Sequence, residues 1–280
     1  MMDQQEFIRL ALEEDLAQVG DYSTLASIPE NIKGKALLKI KEDGILAGLE
    51  MAQAIFHYLE PEAKFQFFKK DGDVIKNGEL AFEVQAHVHT ILKAERLVLN
   101  IMQRMSGIAT LTRSYVDLIK DFPAQILDTR KTTPLFRVYE KEAVKIGGGR
   151  NHRMGLYDMI MLKDNHIDYC GGIQQAILQT NDYLKKNHLN IKIEVETRNI
   201  EDVKKILEVG QVQRIMLDNY SPEEMKEAVD FIDGRYETEA SGGIVKENIR
   251  DYAATGVDFI SIGALTHHYV SLDLSLKASF

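Results

Sequence analysis

From about residue 125 onward, short apolar runs alternate with helical stretches. The strand-like cores are QILD (125–128), MIML (159–162), IKIEVE (191–196), RIML (214–217), YETEA (236–240) and FISIG (259–263). Helical patterns at 172–186, 200–209, 222–232 and 246–255 separate them, and the last three strands start about 22 residues apart. Six β-then-α units of this kind require a parallel sheet, because each strand must return to the same end before the next begins. The outcome is an α/β fold, either a barrel or an open doubly wound sheet. No GxGxxG follows the first strand, which weakens the dinucleotide-binding version.

The residues that end these strands are polar or glycine-rich. They are Asp128-Thr129-Arg130-Lys131, Lys163-Asp164-Asn165-His166, Glu196, Asp218-Asn219, Ser241-Gly242-Gly243 and the Gly263-Ala264-Leu265 turn. In a β/α barrel the C-terminal strand ends converge on one face, which carries the active site. A Lys in the position of Lys163 can form a Schiff base or act as a point charge for a phosphate or carboxylate. Glu196 and Asp218 can serve as acid and base, hold a divalent cation, or stabilise a developing positive charge. They can equally be structural ion pairs with nearby lysines. Glycine loops after the last strands let backbone N–H groups approach a phosphate.

Charge sharpens this picture. Between Asp128 and His166 there are eight Lys/Arg and five Asp/Glu, a local +3 within a chain of formal charge −9. Within that segment, GGGRNHR (147–153) turns the backbone and delivers Arg150, His152 and Arg153. The overall acidity argues against broad nucleic-acid binding, which needs a cationic surface, yet a local cationic pocket can take a small polyanion. Residue types and spacing therefore point to a polycarboxylate and a phosphorylated sugar as substrates.

The first hundred residues differ. An amphipathic helix at 3–18 with Asp3 as N-cap is followed by strand-like runs at 35–40, 44–48, 64–69 and 80–86. A helix at 50–59 interrupts the runs, and Asp71-Gly72 and Asn77-Gly78 have turn chemistry. From about 90 to 120 the pattern is helical, with Gly107 marking a break or a close helix contact. Arg96 on this helix lies outside the barrel, so it is either a solvated charge or reaches a site across a subunit interface. A length of 280 residues, 45% hydrophobic and 28% charged, is consistent with about two globular domains. The single cysteine, Cys170, excludes an intrachain disulfide, and the polar start MMDQQEFIRL lacks a signal-peptide pattern. The longest uncharged run, 259–272, is too short to span a membrane. These features lead us to expect a cytoplasmic protein with no membrane partner.

The strings EEDLAQVGDYST, AERLVLNIMQRMSGIAT, ILDTRKTTP, GGGRNHRMGLYD, MLKDNH, IEVET, LDN, EASGGI and GVDFISIGALTH occur in this order. As an ordered set they resemble the quinolinate phosphoribosyltransferase (nicotinate-nucleotide pyrophosphorylase) family over nearly the whole chain. The resemblance implies an N-terminal α/β sandwich domain (1–106, completed by the tail 267–280) and an incomplete α/β barrel (107–266), a type II phosphoribosyltransferase-like fold. It implies a homodimer with shared active sites, in which Arg96 comes from the partner subunit. The implied reaction joins quinolinate to 5-phosphoribosyl-1-pyrophosphate, giving nicotinate mononucleotide, pyrophosphate and CO2 with Mg2+, in de novo NAD biosynthesis. Family substrate positions fall on Arg96, Thr129, Arg130, Lys131, His152, Arg153, Lys163, Glu196, Asp218, Ser241, Gly242, Gly243, Gly263, Ala264 and Leu265. Lys131, Lys163, Glu196 and Asp218 would be catalytic, with Glu196 and Asp218 holding the metal directly or through substrate or water. One departure stands out: the family's TTPGLR reads TTPLFR here, with Leu135 replacing glycine. That puts the local loop shape in question and leaves the charges intact. Two other readings remain: a molybdenum-uptake-associated paralogue acting as a binding protein or on another anionic acceptor, and a Schiff-base lyase at Lys163.

Overall fold

The structure, a computed structural model, describes residues 3–279. In chain order its elements are α1 (Gln4–Leu16), α2 (Tyr22–Ser27), β1 (Lys33–Ile40), β2 (Gly44–Ile45), α3 (Leu49–Leu59), β3 (Lys64–Phe67), β4 (Val74–Ile75), β5 (Leu80–His87) and α4 (Val88–Leu118). There follow β6 (Gln125–Leu127), α5 (Arg137–Ile146), β7 (Met159–Leu162), α6 (Asp164–Cys170), α7 (Ile173–Lys186), β8 (Lys192–Thr197) and α8 (Ile200–Val209). The chain ends with β9 (Arg214–Asp218), α9 (Pro222–Ile232), β10 (Glu237–Ser241), α10 (Ile249–Ala253), β11 (Phe259–Ser261), α11 (Ala264–His267) and β12 (Leu274–Ser279). Two compact units result. The second comprises Ser114–Thr133 and Gly149–His267, and the first holds the rest, including α5 and β12.

The first unit carries an antiparallel sheet of order β12-β1-β5-β3 and a two-stranded ribbon, β2-β4. Its local signals act as expected: Asp3 caps α1 by accepting the Glu6 N–H at 2.8 Å, and Ile8 and Leu12 bury one face. The strand expected at 44–48 is only two residues long. The backbone N–H groups of Ile45 and Ala47 instead donate to the hydroxyls of Thr110 and Ser106 on α4. Gly107 does not break α4. It allows a close contact, since a Cβ there would lie 2.2 Å from the Val270 carbonyl oxygen.

The second unit is a six-stranded, all-parallel sheet of order β6-β11-β10-β9-β8-β7, with α6 to α10 between its strands in sequence and α11 after β11. β8 is buried over almost its full length, as befits a strand covered on both faces. Strong caps set the helices between strands. Asn199 accepts the Asp202 N–H ahead of α8, and Ser221 with Glu224 forms a capping box with Pro222 in the first turn of α9. The register aligns the strand ends, for example Ser241 beside Asp218 and Leu162 beside Val195. β6 and β7 are the sheet's edges, consistent with an incomplete α/β barrel. Beside β6 runs a rudimentary extra strand: Arg150 donates to Ile126 O at 2.8 Å and accepts from Asp128 N at 3.1 Å.

Lys163 directly follows β7 and caps α6, where the His166 ring accepts the Lys163 N–H. Two local expectations need correction. The helix expected at 246–255 is confined to α10, because Asn248 Oδ1 accepts the Val245 N–H at 2.8 Å and holds a turn there. The turn at 263–265 is the start of the short helix α11.

Candidate active site

The C-terminal ends of the parallel strands enclose a cavity of about 790 Å³. Thr129, Arg130 and Lys131 reach it from the end of β6, and His152 and Arg153 from the segment beside β6. Lys163 comes from the end of β7, Glu196 from β8 and Asp218 from β9. Ser241, Gly242 and Gly243 line it from the end of β10, and Gly263 and Ala264 from the end of β11. The sequence-predicted set thus converges, with two exceptions. Leu265 is fully buried and does not line the cavity. Arg96 is exposed on α4 in the first unit and is not among the lining residues.

Four Lys/Arg side chains, Arg130, Lys131, Arg153 and Lys163, share the cavity with the carboxylates of Glu196, Asp218 and Glu239. Lys163 Nζ lies 2.9 Å from Glu196 Oε2. The lysine is about half exposed, so the pair contributes on the order of 0–1 kcal/mol and can open for an incoming anion. A carboxylate-bound ammonium suits a point charge better than a Schiff-base nucleophile, which needs a deprotonated amine. Asp218 accepts from the Asn219 side-chain amide at 2.6 Å. Arg153 donates to the Met159 carbonyl at 3.1 Å, and partial burial and the neighbouring Arg130 lower its pKa. That like-charge proximity fits a site built for a dianion.

The glycine loops meet a strict geometric demand. Gly242 has φ +92°, and a Cβ there would lie 2.2 Å from Asn219 Oδ1. Gly243 has φ +62°, and a Cβ on Gly263 would press on Lys131 and His267 at 3.0 Å. Among the described residues, no protein group accepts the N–H of Gly242 or Gly243. Both glycines line a cavity whose other groups favour anions, and a phosphate cradle uses unpaired N–H groups of this kind.

A second polar layer lies under the first, and reading the strand ends alone missed it. Glu194, Arg214 and Glu239 sit on β8, β9 and β10, with both glutamates fully buried. Arg214 donates to Glu239 at 2.9 Å, and His152 Nε2 lies 2.9 Å from Glu194 and 3.3 Å from Glu239. The clue was the charge alternation in IKIEVE and YETEA: a strand buried on both faces that carries Glu at every second position has a polar inner face. Burial alone would lower the pKa of His152, but the two carboxylates push it up to about 9. Burial and Glu239 push Glu194 up to about 7, whereas His152 and Arg214 hold Glu239 down against its own burial. The two carboxylates thus raise the proton affinity of the layer. Nδ1 of His152 accepts the Arg153 N–H at 2.7 Å, which leaves the ring N–H on Nε2, facing the carboxylates.

Both layers bear on metal binding. The ligand atoms of His152, Glu194 and Glu239 lie within 4.8 Å of one another, a spacing that could hold a metal ion. The Arg214 guanidinium already balances Glu239 there, and a nitrogen-containing donor set suits Mg2+ poorly. Glu196 and Asp218 offer hard oxygen donors at the mouth, where water or substrate oxygens can complete a shell. Among the described residues, no helix is long and apolar enough to cross a membrane.

Comparison with known proteins agrees with this geometry. Residues 108–277 match the model of the quinolinate phosphoribosyl transferase C-terminal domain, and residues 21–106 match that of the N-terminal domain. A chloroplastic nicotinate-nucleotide pyrophosphorylase [carboxylating] of Arabidopsis thaliana is 47% identical, with 98% of this chain and 82% of the relative covered. A probable nicotinate-nucleotide pyrophosphorylase [carboxylating] of Bacillus subtilis is 41% identical over 88% of this chain and 83% of its own. The crystal structure of NadC from Streptococcus pyogenes superposes with a TM-score of 0.92 at 40% identity, covering 98% of this chain and 95% of that one. Nothing in these relatives supports the molybdenum-associated alternative. Two matching domain families and these full-length relatives show that the chain belongs to the quinolinate phosphoribosyltransferase family.

Proposed function

We propose that the strand-end cavity is the active site of this family's reaction. The enzyme converts quinolinate and 5-phosphoribosyl-1-pyrophosphate to nicotinate mononucleotide, pyrophosphate and CO2, a step of NAD biosynthesis. One observation carries the assignment: four cationic side chains, two mouth carboxylates and two glycine loops line a single cavity.

Quinolinate is a dianion at neutral pH. Arg130 and Arg153, with Arg96 of the partner subunit in a homodimer, hold its carboxylates and bring the ring nitrogen to the anomeric carbon of the sugar. The N–H groups of Gly242, Gly243 and the Gly263 turn, with Ser241 and Thr129, receive the 5-phosphate. Lys131 and Lys163 stabilise the departing pyrophosphate or a substrate carboxylate. As the C–O bond to pyrophosphate breaks, positive charge develops on the ribose, and Glu196 and Asp218 stabilise it. Mg2+, held by Glu196 and Asp218 through water or substrate, would neutralise pyrophosphate charge. Once the ring nitrogen is glycosylated, the pyridinium accepts the electron pair of the breaking C–C bond, so CO2 leaves after the N-glycosidic bond has formed. The lone Cys170 fits a reducing compartment such as the cytoplasm.

The test supplies purified protein with quinolinate, the pyrophosphorylated sugar and Mg2+, and then omits each in turn. Nicotinate mononucleotide and pyrophosphate are expected only when all three are present. Folded protein that forms no product would overturn the assignment. Covalent trapping of a carbonyl substrate by borohydride would restore the Schiff-base reading.

A further inference from the structure

The buried layer under the cavity has no direct part in the reaction above, yet it is expensive to build. Inner layers of β/α barrels are usually packed with branched apolar side chains. Here three strands contribute Glu194, Arg214 and Glu239, and desolvating such charges costs several kcal/mol per ion unless each is well paired. They pair in a chain: Arg214 binds Glu239 at 2.9 Å, and His152 Nε2 approaches Glu194 at 2.9 Å and Glu239 at 3.3 Å.

The chain continues into the backbone that carries substrate-binding groups. Nδ1 of the same ring accepts the Arg153 N–H at 2.7 Å, and the His152 N–H donates to the buried Asp128 carboxylate at 2.8 Å. Two residues earlier, Arg150 exchanges backbone hydrogen bonds with β6. The segment 150–153 is thus fastened to β6 by its backbone and to β8 and β10 by one imidazole. Both ring nitrogens of His152 face protein groups.

We propose that Glu194 and Glu239 are positioning residues: they clamp the His152 ring and, through it, fix the 150–153 backbone so that Arg153 meets the carboxylate of quinolinate. Arg214 keeps Glu239 charged and in place within the clamp. The inference rests on assigning the cavity to quinolinate, and the experiment separates the two ideas.

Quinolinate binding to the wild-type protein is measured first, by calorimetry without the sugar substrate. Glu194→Gln and Glu239→Gln, which preserve shape and remove charge, are then compared for quinolinate affinity and for KM toward each substrate. The expected result is at least a tenfold loss of quinolinate affinity, with KM for the phosphoribosyl donor changed less than twofold. Wild-type quinolinate affinity in folded variants would overturn the clamp. So would an equal rise in both KM values, the mark of a merely structural role. A second measurement holds whether or not the variants fold. In 15N-histidine-labelled wild-type protein, the Nε2–H signal of His152 should be protected from solvent exchange and move little when quinolinate binds. Rapid exchange, or a large shift on binding, would overturn the proposal. Absence of quinolinate binding to wild type would remove the cavity assignment, while the ring signal would still report on the clamp.

Discussion

Glu196 and Glu194 stand two residues apart on β8, so their side chains share one face of the strand. Glu196 lines the cavity and pairs with a half-exposed lysine at 2.9 Å. Glu194 is fully buried against His152. The same step separates Ser241 from Glu239 on β10, while on β9 Asp218 lies four positions beyond Arg214. Charges at the strand ends are loosely held and can exchange partners with a ligand. Charges one layer down are shut off from water and lie within ion-pair distance of one another. A barrel can thus place a reactive surface on a polar foundation, and depth along the strand decides which role a carboxylate takes.

Breaking the lower layer should have the largest effect on stability. Glu239→Ala removes the fully buried carboxylate from Arg214 and His152, leaving Arg214 only Glu237 at 3.1 Å, and should cost about 3 kcal/mol in urea unfolding. A loss below about 1 kcal/mol would mean that the layer does not carry buried charge. Changes in the upper layer should do the reverse. Lys131→Ala and Asp218→Ala should each lower turnover by about 3 kcal/mol, a few hundredfold, with the melting temperature nearly unchanged. Wild-type pyrophosphate release from either variant would remove that residue from the catalytic set.

A pH titration sharpens the contrast further. Folding raises His152 from 6.5 to about 9 and Glu194 from 4.5 to about 7, so the folded layer binds more protons than the unfolded chain across this window. The stabilisation is complete below the unfolded values and is lost as pH rises through the folded ones. Surface carboxylates with lowered pKa, such as Asp43 and Asp121, have finished titrating below this range. The melting temperature should therefore fall between about pH 6.5 and 9.5 at constant ionic strength. A flat or rising profile would contradict the raised proton affinity of the buried layer.

The smallest effect concerns the loop after the TRK sequence. Leu135 holds φ +65°, the conformation that the family's glycine adopts without strain, and its side chain is 75% exposed. The loop keeps a glycine-like backbone, at a cost to leucine of about 1 kcal/mol. Leu135→Gly should raise stability by up to about that amount and leave turnover unchanged. A destabilised variant would show that the exposed leucine makes contacts worth more than the strain.

Much of this was legible from local pattern. Short apolar runs alternating with helical stretches marked the parallel strands, and α8 and α9 match their expected spans. The strand-end residues converged because parallel connections force them to one face. What escaped depends on longer range. Glu194 and Glu239 look like ordinary surface charges until both faces of their strands are known to be covered. The strand-like pairing of Arg150 with β6 has no period of its own, since it is a single bridge. The boundaries of α6 and α10 turn on side-chain-to-backbone bonds from His166 and Asn248, which compete with the periodic signal. The placement of α5 with the first unit, while β6 belongs to the second, follows from packing and not from any neighbouring residue.

The central claim is that sugar transfer at the upper layer precedes and permits the loss of CO2. Its most direct test follows CO2 released from carboxyl-labelled quinolinate with and without the phosphoribosyl donor. The account predicts label release only with the donor present, in step with pyrophosphate and nicotinate mononucleotide. Label release with free nicotinate, in the absence of the donor, would contradict it.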